Sequence, residues 1–247
     1  MTRRPARRPP ERPRTENGSH NPPRTERERI IEAFFALLAE QSFEDIGYAD
    51  LAARAGVPLA TLRGEFGAKL PIVAAYLKAI DRKVLAGGDA DMADEPPREQ
   101  LFDVLMRRLE VLAPHKAAIR SLMRSARRYP GLALALNGLA VRSQQWMLTA
   151  ANIDSAGPKG RLRAQGVALL FAGVLRTFVN DEDEGLARTM AALDRALARG
   201  QRWSGFLDDL CRFAPRGGCV PNFRRRRRDD DRDRDRGRDL GEDVIPF

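Results

Sequence analysis

Cysteine and histidine are scarce in this sequence. Its 247 residues include only two cysteines, Cys211 and Cys219, and two histidines. Two cysteines are too few for a disulfide framework or a four-cysteine zinc site, and such low usage is typical of a reducing cytoplasm. The acidic segment at 180–185 lacks the spacing of a calcium loop. We therefore expect a cytoplasmic protein with no metal and no cofactor.

Long apolar runs are also missing. No stretch approaches the ~18 apolar residues of a membrane-spanning helix, and the arginine-rich start has no apolar segment of the secretory kind. We find no nucleophile–histidine–acid set and no glycine-rich phosphate loop after a strand. These absences argue against a membrane-spanning protein and against an enzyme.

Charge is plentiful and unevenly placed. The formal net charge is +9, which favours a polyanionic partner such as nucleic acid or an anionic membrane surface. Residues 1–24 carry seven arginines against two glutamates, with almost nothing to bury, so we expect a disordered basic arm. Within the tail at 215–247, the part from Arg224 onward sets nine arginines against eight acids. We expect this tail to be disordered too, with nucleic-acid contact by Arg224 to Arg228 as the alternative.

Between these ends the apolar residues recur at helical spacing, without a convincing alternating strand, so we predict an all-α fold of about nine helices. Thr25 and Glu28 have capping-box spacing, and Gly56 is placed to end the second helix with positive φ. Glycines 87 and 88 and prolines 96 and 97 mark a linker. It divides a head at 25–86 from a larger body at 96–214. The predicted helices cover approximately residues 25–41, 49–55, 58–66, 69–85, 98–112, 114–127, 131–151, 159–179 and 184–212.

The head contains two short helices joined by a tight turn in YADLAARAGVPLATLRGEF, residues 48–66. A longer helix packs behind these two short helices. The second short helix therefore points outward and can enter the DNA major groove. Its outward face carries Leu59, Ala60, Arg63 and Glu65. Only Arg63 can form a bidentate guanine contact, and Glu65 adds a charge that phosphates repel. We expect modest sequence selectivity; the alternative for Arg63 is an ordinary solvated side chain.

The run FEDIGYADLAARAGVPLATLRGEFGAKLPIV resembles the N-terminal module of the TetR/AcrR repressor family over about 50 residues. The resemblance implies a TetR-like fold, with phosphate or groove contacts by Thr61, Arg63 and Lys69. It also implies a homodimer formed through the last two helices. The chain departs from the family pattern at Arg63, where an aromatic residue is usual, and at Pro58, where a small polar cap is common. Packing roles are implied for Ala52, Gly56, Val57, Leu62 and Phe66.

Two stretches of the body, REQLFDVLMRRLEVLAPHKAAIRSL and LLFAGVLRTFVNDEDEGLARTMAALDRAL, resemble the lipid-binding accessory proteins of ubiquinone biosynthesis. That family shares the TetR-like fold and does not act as repressors. The resemblance implies an apolar pocket, although plain core packing is the commoner reason for such stripes. For His115 we expect packing at a helix start. Candidate pocket residues are Leu105, Leu109, Met123, Trp146, Leu170, Val174 and Phe178, with Leu101, Leu112 and Leu136 beside them.

The last helix carries an apolar stripe that can dock on the body, pair with a second subunit or touch a membrane. Pairing is the interpretation we prefer, and we do not expect membrane contact. The sequence as a whole therefore predicts a homodimeric, ligand-responsive repressor that binds double-stranded DNA, with an apolar small molecule or lipid as effector. A lipid-binding accessory protein that does not bind DNA is the alternative. The stripe consists of Trp203, Phe206, Leu207, Leu210 and Phe213.

Overall fold

The computed structural model describes the backbone at residues 25–88, 92 and 94–213, and the side chains as far as residue 200. The described residues contain helices and no strand, which confirms the all-α prediction. A short 3-10 helix at Ala113–His115 precedes the sixth α-helix. The α-helices are α1 Glu26–Glu40, α2 Tyr48–Ala55, α3 Leu59–Glu65, α4 Lys69–Ala86, α5 Pro97–Leu112, α6 Lys116–Arg128, α7 Pro130–Ala150, α8 Gly157–Phe178 and α9 Ala187–Phe213.

Local capping explains where the first helices begin and end. The Thr25 hydroxyl accepts from the backbone N–H of Glu28, and the Glu28 carboxylate accepts from the backbone N–H of Thr25, so the predicted capping box is confirmed. Gly56 ends α2 with φ of 63°, a left-handed conformation that glycine adopts without the steric cost of a Cβ. Pro58 is the N-cap of α3 rather than its first residue.

Head and body share one hydrophobic core. Helix α1 packs against both α2 and α6, and α4 packs against both α5 and α7. Fully buried side chains of this core come from both regions, such as Phe34 and Leu51 on one side and Leu109 and Phe178 on the other. The described residues up to Phe206 form one compact unit, so head and body are two regions of that unit. A second unit starts at Leu207, of which the structure describes the backbone of α9 to Phe213.

A buried ion pair ties the long helices together. The Arg108 guanidinium on α5 donates to the Asp81 carboxylate on α4, and both residues are less than a tenth exposed. The Ser143 hydroxyl on α7 donates to the same carboxylate oxygen at 2.7 Å. The guanidinium carbon also lies 5.7 Å from the ring centroid of Phe171 on α8. This cluster therefore joins four helices through polar and aromatic contacts.

The acidic segment before α9 acts as a helix cap. Asp181 is buried, and its carboxylate accepts from the backbone N–H of Thr189 at 2.8 Å and from the Thr189 hydroxyl at 2.7 Å. Asp183 accepts from the backbone N–H of Ala187 at 3.0 Å. Hydrogen bonds from the Thr189 hydroxyl, and then from backbone N–H groups, lower the pKa of Asp181 below its usual value of 3.8.

This lowered pKa predicts a loss of stability in acid. Asp181 binds a proton less readily in the folded state than in the unfolded state. The stability that its carboxylate contributes is therefore fully present above the pKa of Asp181 in the unfolded chain, and it is lost as the pH falls through the pKa of Asp181 in the folded chain. We expect Asp181→Asn to reduce the free energy of unfolding by about 1–3 kcal/mol at neutral pH. Its loss of stability below pH 4 should be smaller than that of the wild type. Urea unfolding at several pH values measures both effects, and equal pH dependence in the two proteins would contradict the assignment. Glu182→Gln is the control at an exposed acidic position of the same segment.

None of the described helices is both long enough and apolar enough to span a bilayer. The arm at 1–24 and the tail at 215–247 lie outside the described residues, as do the side chains of Cys211 and of the apolar stripe on α9.

Candidate nucleic-acid interface

The two short helices of the head are fixed by buried apolar side chains. Leu51, Ala52 and Ala55 of α2 are buried, and Leu62 of α3 is only 2% exposed. Val57 in the turn and Phe66 just after α3 are buried as well. The predicted packing roles of Ala52, Val57, Leu62 and Phe66 are thus confirmed, and their burial determines which face of α3 points outward.

The outward face of α3 carries the residues predicted to contact DNA. Leu59 is 56% exposed, Ala60 and Arg63 are exposed, and Thr61 is partly buried. Arg63 donates one guanidinium N–H to the Gly67 carbonyl at 3.1 Å, a contact four residues along the chain. One short helix therefore carries all four of these residues, Leu59, Ala60, Thr61 and Arg63. Their contact with DNA stays a prediction.

Glu65 is neutralised by a residue that the sequence did not single out. Arg27, at the start of α1, donates to the Glu65 carboxylate at 3.0 Å and to the Glu65 carbonyl at 3.3 Å. The same guanidinium lies 4.3 Å from the ring centroid of Phe66, within cation–π distance. The charge that we expected to repel phosphates is therefore paired, and the end of α3 is held against α1.

Lys69 has a structural role that the sequence resemblance did not imply. Its ammonium donates to the carbonyls of Phe43, Glu44 and Ile46 at 2.7, 3.0 and 3.2 Å. An ammonium has three donors, so these carbonyls use all of them. Burial lowers the pKa of Lys69, although Glu44 and Asp45 oppose the shift. We therefore remove Lys69 from the proposed DNA-contacting residues and assign it to the loop between α1 and α2.

Two further arginine contacts hold α2 in place. Arg29 on α1 donates to the carbonyl of Gly56 at 3.2 Å. Arg54 on α2 makes two hydrogen bonds with the Glu40 carboxylate, at 3.0 and 2.7 Å, and these bonds lower the pKa of Glu40. Both contacts thus hold the C-terminal end of α2 against α1.

The residues predicted to line an apolar pocket do not share one environment. Leu105, Leu109, Val174 and Phe178 are buried in the core, whereas Met123 and Leu170 are partly buried. Trp146 is 58% exposed, because the buried side of α7 at this point is formed by the adjacent Met147 and Leu148. Trp146 therefore does not lie in the core with the buried members of this set, and its assignment to a pocket wall stays a prediction. An effector site formed by the other six residues also stays a prediction.

His115 packs at the start of α6, as expected. Its Nδ1 is hydrogen-bonded to the Tyr76 hydroxyl at 3.0 Å, and its ring meets the edge of Phe35 with centroids 5.6 Å apart. Burial, and then the charge of Lys83, lowers the pKa of His115. The residue thus connects the start of α6 with α1 and α4 as a neutral packing group.

Comparison with solved structures identifies the fold. A TetR transcriptional regulator from Nitrosomonas europaea is 23% identical, with a TM-score of 0.57 over 71% of this chain and 98% of that chain. A TetR transcriptional regulator from Rhodococcus sp. RHA1 is 25% identical, with a TM-score of 0.51 over 70% of this chain and 94% of that chain. No protein-family model and no curated protein sequence matches the chain. The fold is TetR-like, as predicted; the likeness of the body to ubiquinone accessory proteins stays a prediction.

Proposed function

We propose that this protein is a DNA-binding transcription regulator, not an enzyme, and that α2 and α3 form its DNA-reading element. The observation that carries the proposal is the outward placement of α3. Burial of Leu62 and Phe66 anchors the helix on one side, and Arg27 neutralises Glu65 at its end. The TetR-like fold and the titles of the two solved structures, which name transcriptional regulators, support the same conclusion.

The reading residues are those on the outer face of α3. Arg63 can give the bidentate contact to guanine O6 and N7 once its single bond to Gly67 is exchanged for the base. Leu59 and Ala60 can contact thymine methyl groups, which are the apolar feature of the major groove. Thr61 is suited to a phosphate contact. With one such arginine per head, we expect the protein to recognise few base pairs and to distinguish weakly between DNA sequences.

The arginine arm at 1–24 adds a contribution that does not depend on base sequence. It leads directly into α1, whose first turn carries Arg27 beside α3. Arms that precede helix-turn-helix modules can lie in the minor groove or along phosphates. We therefore assign the arm to the same DNA complex.

The experiment that tests DNA binding is selection of duplexes from a random pool with the full chain, followed by anisotropy titrations at several salt concentrations. Enrichment of a common sequence, with affinity falling as salt rises, is the expected result. A pool that shows no enrichment, together with no retention of any duplex at low salt, would rule the proposal out.

A homodimer completes the proposal, because two heads related by a two-fold axis read paired half-sites. Helix α8 exposes Leu162 and Leu169, which are 58% and 62% exposed. Gly166 and Gly173 lie on the same helix with open space beside their Cα atoms, so another helix can approach closely. Met190, on α9, is also 43% exposed. We propose this surface of α8 and α9 as the subunit interface.

Leu169→Glu tests the interface, since it places a charge in a surface that a dimer would bury. We expect the wild type to sediment as a dimer and the variant as a monomer with weaker DNA binding, because the second head no longer binds as part of one complex. Leu134→Glu on α7 is the matched control, as Leu134 is 73% exposed. A variant at residue 169 that still sediments as a dimer would place the interface elsewhere.

A further inference from the structure

Helix α6 presents a row of arginines that the proposed DNA-reading element does not use. Arg120, Arg124, Arg127 and Arg128 are exposed, and spacings of three and four residues place them on one side of the helix. From residue 116 to residue 153 the chain has six basic residues and no acidic one. Single-sign charge of this density attracts a polyanion.

Three of these arginines are available for a partner. Arg120 donates to the carbonyl of Val179 and is committed to the fold. Arg124, Arg127 and Arg128 make no ion pair with any residue that the structure describes. We name these three the α6 basic patch.

The patch lies beside the DNA-reading head. The Ser121 hydroxyl donates to the carbonyl of Gln41 at 2.8 Å, and the backbone N–H of Phe43 donates to the Ser125 hydroxyl at 3.2 Å. These bonds fix α6 on the loop between α1 and α2, five residues before α2 starts at Tyr48. The same loop is held by Lys69, the first residue of α4. The C-terminal half of α6 is therefore fixed next to the segment that leads into the reading element.

The acidic residues that face the patch do not cancel its charge. Glu44 and Asp45 are the acids of the adjoining loop. The Ser125 hydroxyl, and to a lesser extent the charges of Arg128 and Lys69, lower the pKa of Glu44, which places both cations close to this one carboxylate. Arg128 and Lys69 thus lie near Glu44, whereas Arg124 and Arg127 make no ion pair with an acidic residue that the structure describes.

We propose that Arg124, Arg127 and Arg128 contact DNA phosphates outside the base pairs read by α3, so that the regulator covers a longer duplex than its helix-turn-helix alone. This inference rests on the proposed function. Duplex DNA is favoured over an anionic membrane because the exposed residues of α6 are Ala117 and four arginines, with no large apolar side chain among them to insert into lipid. Tyr129, which is 48% exposed at the C-cap of α6, carries a polar hydroxyl at the end of its ring. Phosphate contacts add affinity without adding base selectivity.

The test compares the wild type with Arg124→Gln/Arg127→Gln/Arg128→Gln on selected duplexes. The core duplex is the sequence enriched by selection, without flanks, and the extended duplex adds an unrelated flank on each side. We expect the wild type to bind the extended duplex at least tenfold more tightly than the core duplex, and the variant to bind both equally. The slope of log affinity against log salt should be shallower in the variant by about 2–3 per head, since each phosphate contact contributes about 0.9.

The matched control is Lys78→Gln/Arg82→Gln/Arg142→Gln, which removes the same charge from exposed positions on α4 and α7. It should keep the preference for the extended duplex, and circular dichroism verifies that both variants are folded. If the wild type binds duplex DNA but shows no length preference, or if the patch variant keeps that preference, the α6 inference is overturned while the proposed function stands. If the wild type binds no duplex, both fall. Loss of binding to phosphatidylglycerol vesicles without loss of DNA binding would assign the patch to a membrane and likewise overturn the inference.

Discussion

Arg63→Ala is expected to weaken binding of a selected duplex by about 5- to 150-fold, the effect of losing one bidentate base contact worth 1–3 kcal/mol. Arg63 is the single cation on the exposed face of α3, whose seven residues are LATLRGE, and its guanidinium donates a hydrogen bond to the Gly67 carbonyl that DNA can replace. Anisotropy titration with the selected duplex and with a duplex of unrelated sequence provides the measurement. The loss should be larger for the selected duplex, so the preference for it should shrink.

The matched control for this prediction is Arg82→Ala, which removes an exposed arginine from α4. It should change affinity for both duplexes only slightly. Equal weakening of the selected and the unrelated duplex by Arg63→Ala would show that Arg63 contacts phosphates and not a base. No weakening at all would show that Arg63 is a solvated side chain and would remove the strongest residue from the proposed reading element.

Asp81→Ala is expected to lower the free energy of unfolding by about 3–5 kcal/mol, because it leaves the buried Arg108 without its counter-charge. It also removes the acceptor of the Ser143 hydroxyl, so that two buried donors lose a partner. Thermal or urea unfolding measures the effect. Replacing both members, Asp81→Leu with Arg108→Met, should recover much of the loss, since an apolar pair of similar volume removes the uncompensated charge.

Asp103→Ala is the matched control on the neighbouring pair, because Asp103 and Arg107 form an ion pair four residues apart on α5 that is partly exposed. We expect that loss to be below about 1 kcal/mol, as for other exposed pairs. Equal losses for Asp81→Ala and Asp103→Ala would mean that the buried pair contributes no more than a surface pair. The four-helix connection would then have to be attributed to apolar packing alone.

The helices and their ends could be predicted from the sequence because they depend on residues close together in the chain. Thr25 and Glu28 are three residues apart, and the cap they form needs no other part of the molecule. Gly56 ends α2 because only a residue tolerant of positive φ fits there. The inner faces of α1 to α4 followed from helical periodicity in the same way, and Leu62 and Phe66 are buried as expected.

Charge pairing and exposure on the outer faces were not predictable in this way. Arg27 and Glu65 are 38 residues apart, and Asp81 and Arg108 are 27 apart, so neither pair leaves a pattern in local sequence. Lys69 matched a DNA-contacting position of the TetR/AcrR family, yet the fold of the loop at 43–46 brings three carbonyls to its ammonium. Trp146 fitted an apolar stripe, but periodicity does not show whether a neighbouring helix covers a face.

The sequence by itself thus determined that the chain forms helices, where most of them begin and end, and that a short helix with Arg63 follows a tight turn. Only the tertiary structure decided which charges remain available to a partner. Glu65 and Lys69 are committed to contacts within the fold, whereas Arg124, Arg127 and Arg128 make no ion pair with the residues that the structure describes. The physical reason is range. Capping and periodicity act over three or four residues, whereas burial and ion pairing depend on whichever segments the packed core brings together.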